Sequence, residues 1–164
     1  MKKTDSHLTK NHLQFLFDYK DGHLYWKQRK GRLIAGSLAG TRSHQYWQIC
    51  IDYVIYRTHR LIWIFHNGNT SKSIDHINGN PSDNRIENLR ECTNSQNQHN
   101  KKLSISNSSG VKGVGWWKQK QKWRARISVD GKEFHIGSFF NINDAEELIT
   151  KKRQELHGLF ARHS

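Results

Sequence analysis

Two cysteines, Cys50 and Cys92, are all that this chain of 164 residues offers to disulfide or thiolate chemistry. They form no CxxC pair and no framework, which argues against a disulfide-stapled fold and against structural zinc held through thiolates. Both read as buried thiols compatible with a reducing compartment. Long apolar runs are also missing. The longest, LIWIF at 61–65, falls far short of the ~20 residues of a membrane span, and the polar N-terminus carries no apolar signal segment. A cytoplasmic protein with no membrane partner is expected. Hydrophobic residues make up 34% of the chain, too few for one large core, so small modules in series are expected. Acids are scarce: 14 Asp and Glu stand against 27 Lys and Arg, a formal net charge of +13. An anionic polymer fits that imbalance, and nucleic acid comes first.

Along the chain, residues 1–70 read as a β-rich region. GHLYWKQ and YWQICIDYVIYRTHRLIWIF supply β-like runs from about residue 12, and Asp21-Gly22, Gly31, Gly36 and Gly40 punctuate them. Thr58 to His66, apolar at 61, 62, 64 and 65, suits a short helix as well as a strand, and a helix is adopted. Residues 71–102 are dominated by Asn and charge, with Ile74, Ile77, Ile86 and Leu89 as apolar anchors. Such a stretch needs side-chain hydrogen bonds or a metal to hold its shape. Residues 103–110 read as a small, polar linker. From 111 to 164, GVGWWKQ, KWRARISVDG and KEFHIGSF are three strands with a tight turn at Asp130-Gly131, and NDAEELITKKRQEL is a helix. Asn143 is read as its N-cap with Glu146 three residues on, and Ala145, Leu148, Ile149 and Leu156 as the stripe that packs on the sheet. The fold class is α+β: a small N-terminal β-rich region, a ββα finger, and a C-terminal three-stranded antiparallel sheet with one packing helix.

The chemistry concentrates in the middle. SIDHINGNPSDN, residues 73–84, sets Asp75 beside His76 ahead of a loop of Asn, Gly, Asp and Pro. Taken alone, that pair is what an ordinary polar turn contains. The residues downstream change its weight. NLREC, 88–92, is a short strand, and Thr93 with Gln96 has capping-box spacing, so a helix starting at Thr93 carries Asn97 in its first turns. If the hairpin folds back on that helix, Asp75 and Asn97 converge beside His76. A carboxylate and an amide oxygen are hard ligands suited to Mg2+ or Mn2+, and a neighbouring imidazole that is not a ligand can take a proton from water. Those are the parts that phosphodiester hydrolysis requires.

IDHINGNPSDNRIENLRECTNSQNQHN, residues 74–100, resembles the HNH endonuclease motif, the ββα-metal finger of phage and intron-encoded homing endonucleases, in the variant that ends in Asn rather than His. The likeness extends upstream through HRLIW. It implies His76 as general base, Asp75 and Asn97 as metal ligands, and Asn88 as the residue that pins the loop through backbone hydrogen bonds. His99 and Asn100 adjoin the final position, and a register shift would move the ligand role to one of them; Asn97 has the better spacing.

In residues 112–126, Lys112, Lys118, Lys120, Lys122, Arg124 and Arg126 interleave with Trp116, Trp117 and Trp123, and no acid intervenes. On a strand, Lys122, Arg124 and Arg126 share one face, while Trp123, Ala125 and Ile127 share the other. The cationic face, together with Lys112, Trp117, Lys118 and Lys120, is a DNA-binding candidate. This segment is similar to the plant ethylene-response-factor (Apetala-type) DNA-binding domain in its order of three strands and a helix. It departs at Gly115, where the plant domains carry Arg, so their base-reading set is only partly retained. Fusion of this module to HNH nucleases is a known phage arrangement, and the two resemblances support each other.

The reading is thus a metal-dependent HNH endonuclease of homing type that hydrolyses double-stranded DNA, with a monomer favoured. Its rival is a non-catalytic DNA-binding regulator that keeps the fold; joint retention of Asp75, His76 and Asn97 is what the rival does not require. An RNA-binding protein, using exposed aromatics to stack bases, is a third class.

Overall fold

The computed structural model describes residues 8–29, 31–100, 103–104, 106–129 and 131–161, without the side chains of His99 and Leu159. Asp130 of the expected hairpin turn, Lys101 and Lys102 at the end of the motif, and Ile105 of the linker lie outside the described residues. Two compact units divide between Cys92 and Thr93. The architecture is mixed α+β, as expected, built from small antiparallel sheets and four α-helices among the described residues. None of those helices is long and apolar enough to cross a membrane.

The first unit opens with a helix, α1 (Lys10–Leu16), where the sequence reads as the start of β-like runs. Thr9 caps it by accepting from the His12 amide, and Leu13 is fully buried. A local cap and contact with a later helix outweigh the weak strand signal of the segment. Strands β1 (Phe17–Lys20) and β2 (His23–Trp26) form a two-residue hairpin. Asp21 and Gly22 both take positive φ, 49° and 80°, as a two-residue turn of this twist requires. Strands β3 (Thr41–Ser43), β4 (Tyr46–Ile51) and β5 (Val54–Arg57) make a second antiparallel sheet in that order. Cys50 on β4 is exposed, contrary to expectation, because alternate residues of the strand face outward, whereas Cys92 is buried as expected.

Helix α2 (Thr58–Asn67) settles the helix-or-strand alternative. Its Leu61, Ile62 and Ile64 are fully buried with Leu13, Phe17, Leu24 and Ile49 in one core. The chain then returns to that core as β6 (Ser73–His76), paired antiparallel with β7 (Leu89–Cys92). Arg60 of α2 ties the connection down by donating to the Thr70 and Lys72 carbonyls. Ile74 and Leu89 carry the hairpin into the core, so its polar residues are fixed against a rigid wall.

The second unit begins with α3 (Asn94–His99), capped by Thr93 and Gln96 in a reciprocal capping box. Strands β8 (Val114–Trp117), β9 (Lys122–Val129) and β10 (Lys132–Phe139) form an antiparallel sheet with β9 in the middle. Helix α4 (Ile142–His157) packs on it, and Val114, Ala125, Ile127, Ala145 and Ile149 close the core. The N-cap of α4 is Asn141, whose side chain takes the Asn143 amide; Asn143 is therefore inside the first turn and not the cap. Leu156, expected in the apolar stripe, is 49% exposed. Arg153 lies in the row of Ala145 and Ile149 instead, buried, with its guanidinium donating to the Lys112 carbonyl.

Ile149 has no exposed surface. Ile149→Ala is expected to destabilise the second unit by about 2–5 kcal/mol, read as a lower midpoint in urea unfolding followed by tryptophan fluorescence.

Candidate active site

The β6–β7 hairpin ends in a tight knot of side chains. Antiparallel register places Asp75 directly opposite Arg90 and His76 opposite Leu89. Arg90 donates through Nε and Nη2 to Asp75 Oδ2 at 3.1 and 3.0 Å. The Asp75 side chain is only 8% exposed, and this pairing offsets the cost of burying its charge. His76 is buried beside it, its Nε2 2.9 Å from Oδ1 of the buried Asn84. The His76 ring meets His59 of α2 edge to face, with centroids 4.9 Å apart. Tyr46 lies next to His59, and the Arg57 guanidinium sits 4.0 Å above the Tyr46 ring. Burial, then the proximity of His76, Arg57 and Arg60, pushes the His59 imidazole down to about 3, so it is neutral at any physiological pH.

The loop from Ile77 to Asn88 is held by its own polar side chains. Asn88 Oδ1 accepts from the Asn78 amide, and Asn88 Nδ2 donates to Asn78 Oδ1 and to the Asp83 carbonyl at 2.7 Å. Asn78 and Asn80 each cap the amide two residues on. Arg85 forks onto Asp83 with two bonds of 2.8 Å, and Asn78 Nδ2 donates to the same carboxylate. The N-terminal hairpin braces the loop from outside: Tyr19 Oη accepts from the Ile86 amide. A Cβ on Gly22 would stand 2.8 Å from the Arg85 nitrogen, so only glycine permits this approach.

Of the residues singled out in the sequence, Asp75, His76 and Asn88 come together in the first unit. Asn97 lies half-buried on α3 in the second unit, and Asn100 is the buried C-cap of that helix. Asn84 and Arg90 were not found by sequence reasoning. Arg90 becomes visible only through strand register, and Asn84 sits inside the quoted motif with no spacing rule to mark it. His59, read mainly as a structural histidine, is in contact with His76.

In the second unit, Lys122, Arg124 and Arg126 share the sheet face away from α4, while Ala125 and Ile127 point into the core. Arg124 and Lys120 lie 5.1 and 5.9 Å from the Trp117 ring centroid. Lys118 and Lys120 are exposed in the β8–β9 turn, and Lys112 precedes β8. Arg126 is engaged by Glu133, which β10 brings across at 2.8 Å, so an acid absent from the local run reaches the face by folding.

Residues 56–99 match the HNH endonuclease family, a span that begins at the end of β5 and takes in α2, the β6–β7 hairpin and α3. Over 108 residues the chain is 38% identical to Protein 3.8 of Escherichia phage T7, covering 65% of this chain and 88% of that protein. The chain belongs to one family with Protein 3.8 and carries an HNH endonuclease domain. No solved structure matches it. The HNH domain so placed begins upstream of the 71–102 motif, ends at residue 99 and includes His59, so the His59–His76 contact lies within it. An HNH endonuclease domain implies DNA as the molecule acted on.

Within the HNH domain, the Asp83 carboxyl is held down at about 2, chiefly by its hydrogen bonds from Arg85. A carboxyl lowered on folding contributes stability that is complete above its ordinary value of 3.8 and lost as pH falls through about 2. NMR signals of residues 78–85 are therefore expected to shift and broaden between pH 4 and 2, and Asp83→Asn is expected to remove that step.

Proposed function

We propose that this protein is a metal-dependent DNA endonuclease of phage origin and homing type, hydrolysing phosphodiester bonds in duplex DNA. The observation that carries the reading is a buried imidazole, His76, held through one ring nitrogen beside a buried carboxylate, Asp75, inside an HNH domain. His76 accepts the proton of the attacking water. Asn88 keeps the loop closed behind it through three hydrogen bonds.

Among the described residues no three His, Cys, Asp or Glu side chains gather to form a metal cage. A single carboxylate joined by an amide oxygen fits an ion that keeps most of its shell as water and phosphate, as magnesium and manganese do. Asp75 would hold that ion, with Asn97 as the second ligand that the HNH resemblance implies, and the ion when bound would polarise a phosphate oxygen as a Lewis acid. Arg90 fixes the Asp75 carboxylate in place.

The second unit supplies DNA affinity. Its strand order and packing helix support the likeness to the ethylene-response-factor module. Lys112, Lys118, Lys120, Lys122 and Arg124 neutralise phosphates, Trp117 packs against bound DNA, and Arg126 acts from its pair with Glu133.

Purified protein with magnesium or manganese is expected to nick or cut plasmid DNA. His76→Ala is expected to lower the rate at least 100-fold, about the least a general base contributes, while mobility-shift binding persists. Wild-type cleavage by that variant would sink the assignment. For the second unit, Lys122→Gln with Arg124→Gln in the full chain should flatten the plot of log affinity against log salt by about 0.9 per lost contact. An unchanged slope takes this face out of the binding account.

A further inference from the structure

An imidazole acts as a general base only if one nitrogen carries hydrogen and the other offers a lone pair to the water. Which nitrogen does which is decided by the partner of the buried one. In this site the buried contact is between His76 Nε2 and Asn84 Oδ1, at 2.9 Å, and Asn84 is 2% exposed. An amide oxygen can only accept, so this contact requires the hydrogen on Nε2 and leaves the lone pair on Nδ1. The reverse amide orientation would send Nδ2 into Nε2, force the hydrogen onto Nδ1, and give the water nothing to transfer its proton to.

We infer that Asn84 is a positioning residue of the nuclease, selecting the tautomer in which His76 Nδ1 is the base. This rests on the reading of His76 as general base. Three further observations support it. Among the described residues, Asn84 Nδ2 is buried without a hydrogen-bond partner, an arrangement that stability alone does not favour and that a demand on the oxygen explains. The backbone around Asn84 is immobilised from several sides: the Asp83 carbonyl by Asn88, the Ile86 amide by Tyr19, and the peptide joining Asn84 to Arg85 by the Gly22 turn. The Asn-rich loop thus aims an amide oxygen at the histidine. The neutral His59 ring packs edge to face against the same imidazole, with centroids 4.9 Å apart.

The test uses the full chain. With histidine 15N-labelled and no metal added, long-range 1H–15N correlation reads the tautomer of His76 directly. The Nε2–H form is expected in the wild type and in Asn84→Asp; an Nδ1–H form in the wild type overturns the inference whatever the variants do. In plasmid nicking with magnesium chloride, Asn84→Ala and Asn84→Leu should lose about 10- to 100-fold in kcat with little change in KM, as removal of an orienting partner does. Asn84→Asp keeps the accepting oxygen and drops the orphaned N–H2 group, so it should recover most of the rate. An Asn84→Asp variant as slow as Asn84→Ala, or an Asn84→Ala variant with wild-type kcat, refutes the role. His76→Ala distinguishes the two levels: full activity there overturns the base and its positioning together, whereas an inactive His76→Ala beside a fully active Asn84→Ala removes Asn84 alone.

Discussion

A carboxylate can sit inside a module this small only with a cation across from it, and Arg90 is that cation. It stands opposite Asp75 in the β6–β7 register, and its Nε and Nη2 both donate to one oxygen. Because side chains alternate along a strand, that pairing also determines where His76 points and which residues, Ile74 and Leu89, go to the core. A slip of one residue would bury the wrong partners and leave a charge unpaired. The hairpin's hydrophobic and electrostatic demands therefore select the same register.

The loop between the strands obeys another principle. It has few apolar side chains, and its shape is written in short-range hydrogen bonds among Asn78, Asn80, Asp83, Arg85 and Asn88. Each amide both donates and accepts, so a run of asparagines can satisfy itself where no core is available. Asn88 joins the two ends, and the N-terminal hairpin presses on the outside. The result is a rigid irregular segment in a chain with only 34% hydrophobic residues.

Much of this was legible in the sequence, and the residues show why. The capping box at Thr93 and Gln96, the alternation in β9, and the strands flanking the polar loop are local patterns, and the structure has them where the spacing puts them. The roles of Arg90, Asn84 and Glu133 depend on what folding brings opposite them, and no local pattern carries that information. Helix α1 and the α4 cap escape local patterns for related reasons. A seven-residue helix draws its support from packing against α2, and Asn141 and Asn143 are chemically equal candidates that only the path of the backbone separates. Arg153 in the second core is a further case: a cation takes a place in an apolar row because a backbone carbonyl waits for it.

The glycine at the tip of the first hairpin has a meaning for how the molecule is assembled. Its missing side chain lets residues near the N-terminus lean directly on the backbone just past Asn84, more than sixty positions later. A fragment trimmed to the recognisable motif would keep every residue of the motif and lose its buttress. The β6–β7 hairpin and its loop are thus a product of the whole first unit, completed only when its earliest strands have found that loop.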